Sequence, residues 1–188
     1  RAPRRVADMS DLFMTRRAAF SGENDRYRDE LRRCWDASLP MLVVCMLNPS
    51  TADHEKEDPT LLILIHFGKL WGFGGLIVVN LYSLRASRPS AMMAAESPIG
   101  PNNAAYLNEA IAYAEEHGGW LLAAWGNDGG WEGRDEWFCA RAMQAGVTLK
   151  CLGTTNSGKP KHPMARGKHR IPRDQRPVVW RNAAVVSP

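Results

Sequence analysis

Residues 41–60 read MLVVCMLNPSTADHEKEDPT, and the fold turns on how that stretch divides. Met41 to Leu47 is a continuous apolar run with adjacent valines, the pattern of a strand covered on both faces. Pro49 ends it, because proline has no N–H to give a sheet ladder. A polar loop runs on to Asp58, a carboxylate placed directly before Pro59 as a helix cap stands before a first-turn proline. TLLILIHFGKLWGF then continues as a helix to Gly72. The stretch is therefore a buried strand, a polar break and a helix start.

Working outward, the alternation repeats. LIVVNL at 76–81 reads as a second buried strand, and NNAAYLNEAIAYAEEHGG at 102–119 as a helix with Ala105, Leu107, Ile111 and Ala114 near one face and glycines at its end. WLLAAW at 120–125 is a third strand, GRDEWFCARAMQAG at 133–146 a helix and VTLKCL at 147–152 a fourth strand. This order predicts an α/β fold, a three-layer sandwich with a mostly parallel four-stranded central sheet. Residues 1–24 read as a flexible N-terminal arm, 25–170 as a single α/β domain and 171–188 as a basic C-terminal tail. RYRDELRRCWDASLP, at 26–40, reads equally as a short helix or an edge hairpin, ended by Ser38-Leu39-Pro40.

A chain of 188 residues supports one core, and 45% hydrophobic with 23% charged residues is an ordinary soluble composition. No run approaches the roughly 18 apolar residues of a membrane span, and RAPRRVADMSDLF lacks the apolar centre of a signal peptide, so a cytoplasmic monomer is expected. Cys34, Cys45, Cys139 and Cys151 are scattered without a C-x-x-C pair, which suggests neither zinc nor iron–sulfur binding; no metal or cofactor is expected. Net charge is only +4, but Lys159, Lys161, Arg166, Lys168, Arg170, Arg173 and Arg176 face the single nearby acid Asp174. Such a cluster draws polyanions, DNA first, the alternative being a solvated basic segment without a partner.

Ligands of an open parallel sheet bind beyond the carboxyl ends of its strands. Those ends carry Asn48-Pro49-Ser50-Thr51, then Asn80, Tyr82 and Arg85, then Trp125-Gly126-Asn127-Asp128, and last Gly153-Thr154-Thr155 with His162-Pro163 beyond. Asn48, fixed by the proline after it, can orient a water or read the edge of a base, though a carboxamide is no strong base; the alternative is an Asx turn. His162 can stabilise negative charge on a leaving group. Asp53, Glu55, Glu57 and Asp58 form an acidic patch, one member of which could activate water or bind a metal; Asp53 is the catalytic candidate, Asp58 having the cap to make and Glu55 and Glu57 reading as solvated. Trp125 is a candidate base-stacking platform, whereas Phe67 and Trp71, one helical turn apart, read as core.

From about Arg26 to Pro163 the chain resembles a family of bacterial and phage proteins of unknown function. The resemblance rests on Leu47-Asn48-Pro49-Ser50-Thr51-Ala52-Asp53, Asp58-Pro59-Thr60, Trp71-Gly72-Phe73-Gly74-Gly75, Asn80-Leu81, Gly100-Pro101-Asn102, Ala124-Trp125-Gly126 and His162-Pro163. More distantly, LVVCMLNPSTA, FGKLWGFGG, LLAAWG and KHPMARGK are similar in order and spacing to the uracil-DNA glycosylase superfamily, especially its mismatch-specific and thymine-DNA branch. Met164 departs from that pattern, standing where the superfamily usually has serine. The resemblance implies a glycosylase-like fold that hydrolyses the N-glycosidic bond of a damaged, mismatched or modified base. It implies that Asn48 places the water, His162 bonds the leaving base, and Pro163 with Met164 wedges the duplex. Lys159, Lys161, Arg166, Lys168 and Arg170 would meet phosphates, while Asn80 or Tyr82 would read the base. The rival expectations are an enzyme of free nucleotides or nucleobases and a non-catalytic module that binds modified DNA.

Overall fold

A computed structural model describes residues 14–50 and 58–184 of the chain. In chain order the elements are β1 (Thr15–Ser21), β2 (Tyr27–Cys34), β3 (Met41–Met46), α1 (Pro59–Leu70), β4 (Gly75–Asn80), α2 (Pro89–Met93), α3 (Asn103–Glu116), β5 (Trp120–Ala123), α4 (Arg134–Gln144), β6 (Thr148–Cys151) and β7 (Val178–Arg181). They build one mixed seven-stranded sheet in the order β1-β2-β4-β3-β5-β6-β7. The four strands expected from sequence are its centre, and β4, β3, β5 and β6 run parallel to one another.

The sheet is wider than the expected four strands. β1 and β2 extend it antiparallel beyond β4, and β7 pairs antiparallel with β6 on the other side. Residues 15–21, read from sequence within an arm, are thus an edge strand, and 178–181 in the tail close the opposite edge. Residues 27–34 are a strand rather than a helix. Five of the eight residues in YRDELRRC are charged, yet the strand is largely buried because β1 and β4 flank it, and some of its charges find local partners. Arg32, for example, donates to Glu30 at 2.6 and 2.8 Å.

Alternate residues of each central strand face opposite layers, as the pleat requires. Leu42, Val44, Leu76, Val78 and Leu122 pack with Leu61, Leu64 and Phe67 of α1. Val43, Cys45, Ile77, Val79, Leu121 and Leu149 pack with Leu107 and Ile111 of α3 and Phe138 and Ala142 of α4. From β3 the chain crosses by α1 to β4 on one side; from β5 it crosses by α4, on the opposite face, to β6 on the other side. The two crossovers share one hand, and between them the carboxyl ends of β3 and β5 open a crevice at the point where strand order reverses.

α1 starts as its sequence predicts. Asp58 Oδ1 accepts the Leu61 N–H at 2.8 Å, with Pro59 in the first turn. The chain beyond β6 then straps across α1, where His66 Nε2 donates to Arg173 O at 2.8 Å and Trp71 Nε1 to Gln175 O at 3.1 Å. That strap brings residues 162–173 beside the helix. Among the described residues no helix is long and apolar enough to cross a membrane.

Candidate functional site

Where the carboxyl ends of β3 and β4 meet the start of α1, the fold leaves a cavity of about 120 Å³. Its polar wall is Arg28, Asn48, Ser50, Asp58, Asn80 and His162, and Leu31, Leu64 and Val78 are among its apolar lining. A cleft of about 470 Å³ lies alongside, lined by Trp125, Gly126 and Asn127 from the end of β5 as well as by Asn48, Ser50 and His162. The last three residues line both spaces and so stand at the passage between them. The topology accounts for this, since Asn48 and Asn80 extend adjacent parallel strands while the strap carries His162 back to them.

Asn48 is held by its amide nitrogen, which donates to Ala86 O at 2.9 Å and to Pro49 O at 3.1 Å. Both partners are carbonyls, so the orientation of the carboxamide is fixed, and Oδ1 has no donor among the described residues. The Ala86 N–H in turn donates to Pro49 O at 3.0 Å, which ties the loop after β4 to the Asn-Pro step. An acceptor of fixed direction thus remains at the cavity wall.

His162 is fixed in the complementary sense. Its Nδ1 accepts the Met164 N–H at 3.1 Å, so the neutral ring carries its proton on Nε2. Burial pushes the imidazole below its ordinary value, with Asp58 pulling the other way. At neutral pH the ring is an uncharged donor.

Arg28 was not legible as a site residue. It stands in β2, a strand whose charge pattern reads as surface, yet it is 9% exposed and lines the cavity. Its Nε is buried without a partner. Burial pushes the guanidinium down to about 10, against the upward pull of Asp58. The sequence argued the other way, since Tyr27, Leu31 and Cys34 recur at the four- and three-residue spacing of a helix.

Other sequence candidates fall elsewhere. Trp125 is 2% exposed, set edge-to-face against Phe138 and Trp180 at 5.9 and 5.6 Å, so it offers no open face to a base. Gly129 closes over it so tightly that a Cβ there would overlap the indole. Tyr82 is buried, donating its hydroxyl to Trp131 O at 2.7 Å, and burial pushes that hydroxyl up to about 12. Arg85 lies over Phe20 and donates to Asp25 O at 3.1 Å, lining neither space. Asn127 reaches the cleft, but its Oδ1 accepts from Thr155 and Ser157, which holds a turn. Asp53 lies outside the described residues.

The basic residues divide in the same way. Lys159 pairs with the buried Asp135 at 2.5 Å, and Lys161 is half-buried, its backbone N–H donating to Gly153 O. Arg166, Arg170 and Arg173, by contrast, are exposed along a groove of about 360 Å³ beside α1 that Pro163 and Met164 also line. Lys168 is exposed on the turn Gly167–His169. Pro163 is buried, so of the two wedge candidates Met164 is the more accessible. Burial also pushes the thiols of Cys45, Cys139 and Cys151 up, which keeps them protonated.

Taken together, the parallel central strands with helices on both faces, and a polar cavity at the carboxyl ends of β3 and β4 beside the strand-order reversal, define an α/β protein with a candidate site at its strand ends. The chain belongs to the family described as Protein of unknown function (DUF1643), whose model matches residues 26–164. Comparison with curated proteins and with solved structures finds no match.

Proposed function

We propose that the protein is a DNA glycosylase with the three-layer architecture of the uracil-DNA glycosylase superfamily, acting as a monomer in the cytoplasm on a damaged, mismatched or modified base. The observation that carries the reading is the pairing, on one cavity, of the fixed acceptor Asn48 Oδ1 with the neutral donor His162 Nε2–H. Hydrolysis of an N-glycosidic bond needs both: an acceptor that aims a water at the sugar carbon, and a donor for the base that departs with the bonding pair. In this reading the C1′–N bond breaks toward the base and His162 Nε2–H bonds the charge that develops there. The water held by Asn48 then adds to the sugar carbon and releases a proton to solvent. Arg166, Arg170 and Arg173 offer the phosphate contacts that extruding a base from a strand requires.

The test is alkali cleavage of labelled duplexes carrying uracil, thymine mismatches or hydroxymethylated pyrimidines, with the Asn48→Ala variant alongside. Breaks that depend on one base and on Asn48 are expected. If none of these duplexes is cut, or if a thermally intact Asn48→Ala cuts as well as the wild type, the glycosylase assignment fails.

A further inference from the structure

We propose that Arg28 makes this cavity an oxyanion subsite, taking the carboxylate, phosphate or ionised ring oxygen of a ligand. Arg28 is a buried side chain on the cavity wall, and none of its five N–H donors has a partner among the described residues. No described carboxylate comes within ion-pair distance. Most other charges here are held: Asp135 holds Lys159 at 2.5 Å, Glu30 holds Arg32 at 2.6 Å, and Arg134 donates to Leu81 O and Asn103 Oδ1, while Asp29, 1% exposed with neither carboxylate oxygen bonded among the described residues, is the exception. A cation kept from water without such a partner destabilises the empty protein, and an incoming anion removes that penalty.

The surroundings favour an anion over a neutral guest. Asn80 is 3% exposed and its carboxamide has no hydrogen-bond partner among the described residues. With His162 Nε2–H and the Thr60 hydroxyl it adds donors to the cavity that Arg28 lines, against one fixed uncharged acceptor, Asn48 Oδ1. Asp58 stands on the same wall, but its Oδ1 accepts the Leu61 N–H and its Oδ2 accepts the Ser50 hydroxyl at 3.4 Å. Its charge acts on Arg28 from a distance rather than through a bond. The planar fork of an arginine matches two oxygens side by side, which a carboxylate, a phosphate and an ionised ring each present.

The subsite deepens the glycosylase reading, sharing its cavity, but it is tested by binding alone. Calorimetric titration and thermal unfolding would be run with orotate, inorganic phosphate, uridine monophosphate and neutral uracil, on wild type and on Arg28→Met. At least one anion should bind wild type tenfold or more tightly than uracil and lose that advantage in Arg28→Met. The ligand-free variant should melt no lower than wild type, because an apolar chain replaces an unpaired buried cation. Preference for orotate would mean a carboxylated or acidic ring, and preference for phosphate or the monophosphate would mean a phosphate group. The subsite is refuted if no anion outbinds uracil, if Arg28→Met binds the anion like wild type, or if ligand-free Arg28→Met melts several degrees lower. Anion binding without abasic-site formation would sink only the glycosylase reading. Abasic-site formation that is indifferent to Arg28 would sink only the subsite.

Discussion

Asp58 has two roles that substitution can separate: it caps α1 and its charge acts on Arg28 across the cavity. Losing an N-cap acceptor costs about 1 kcal/mol, within a range of roughly 0.5–2. The loss should stay in the first turn of α1, since Leu64, Ile65 and Phe67 hold the rest of the helix in the core. For a domain of this size each kcal/mol lowers Tm by about 2–4 °C. Asp58→Ala should therefore melt about 2–4 °C below wild type, while Asp58→Asn, which keeps an accepting oxygen, should stay within about 1 °C. Both variants remove the charge equally, so any change in anion binding should be the same in the two. Calorimetric melting at neutral pH, followed by titration of the same samples, measures both effects. An Asn variant as unstable as the Ala variant would refute the cap, and so would an Ala variant as stable as wild type.

Lys159→Ala should destabilise by about 3–5 kcal/mol in urea unfolding, because it strands the carboxylate of Asp135, which is 1% exposed, and Asp135→Asn added to it should recover a large part. His162 is held below its ordinary value of 6.5 when folded, so as pH falls through about 6.5 the unfolded chain takes the proton first. Its contribution to stability is complete above that pH and declines below it, and His162→Gln should flatten this part of the stability profile; an unchanged profile would count against the assignment. Replacing Arg166, Arg170 and Arg173 by Gln should lower the salt dependence of DNA affinity by about 0.9 per lost phosphate contact, and an unaltered slope would take the α1 groove out of the interface.

The central strands were legible because burial on both faces leaves an uninterrupted apolar run, as in MLVVCML and LIVVNL. The outer strands were not. β2 carries charges that its neighbours shelter, and β1 and β7 are edge strands without a buried face, defined by pairing more than by composition. The same physics decided the site. Asn48, Asn80 and His162 could be named because strand ends follow from strand positions. Trp125 looked equally well placed, but which side of a strand end lies under a helix depends on α4 and β7 together. Arg28 could be found only once its neighbours were known, because nothing in a local window distinguishes a sheltered arginine from a solvated one.

The strap over α1 also sets when the site comes into being. A growing chain that has reached the end of β6 already holds all four parallel strands and most of both core layers. It holds Arg28 and Asn48 as well, but not His162, which arrives only with the segment that crosses the helix and leads to β7. Unfinished or clipped copies therefore lack one wall of the cavity even where the core is sound, so the pocket is completed late in the life of each molecule.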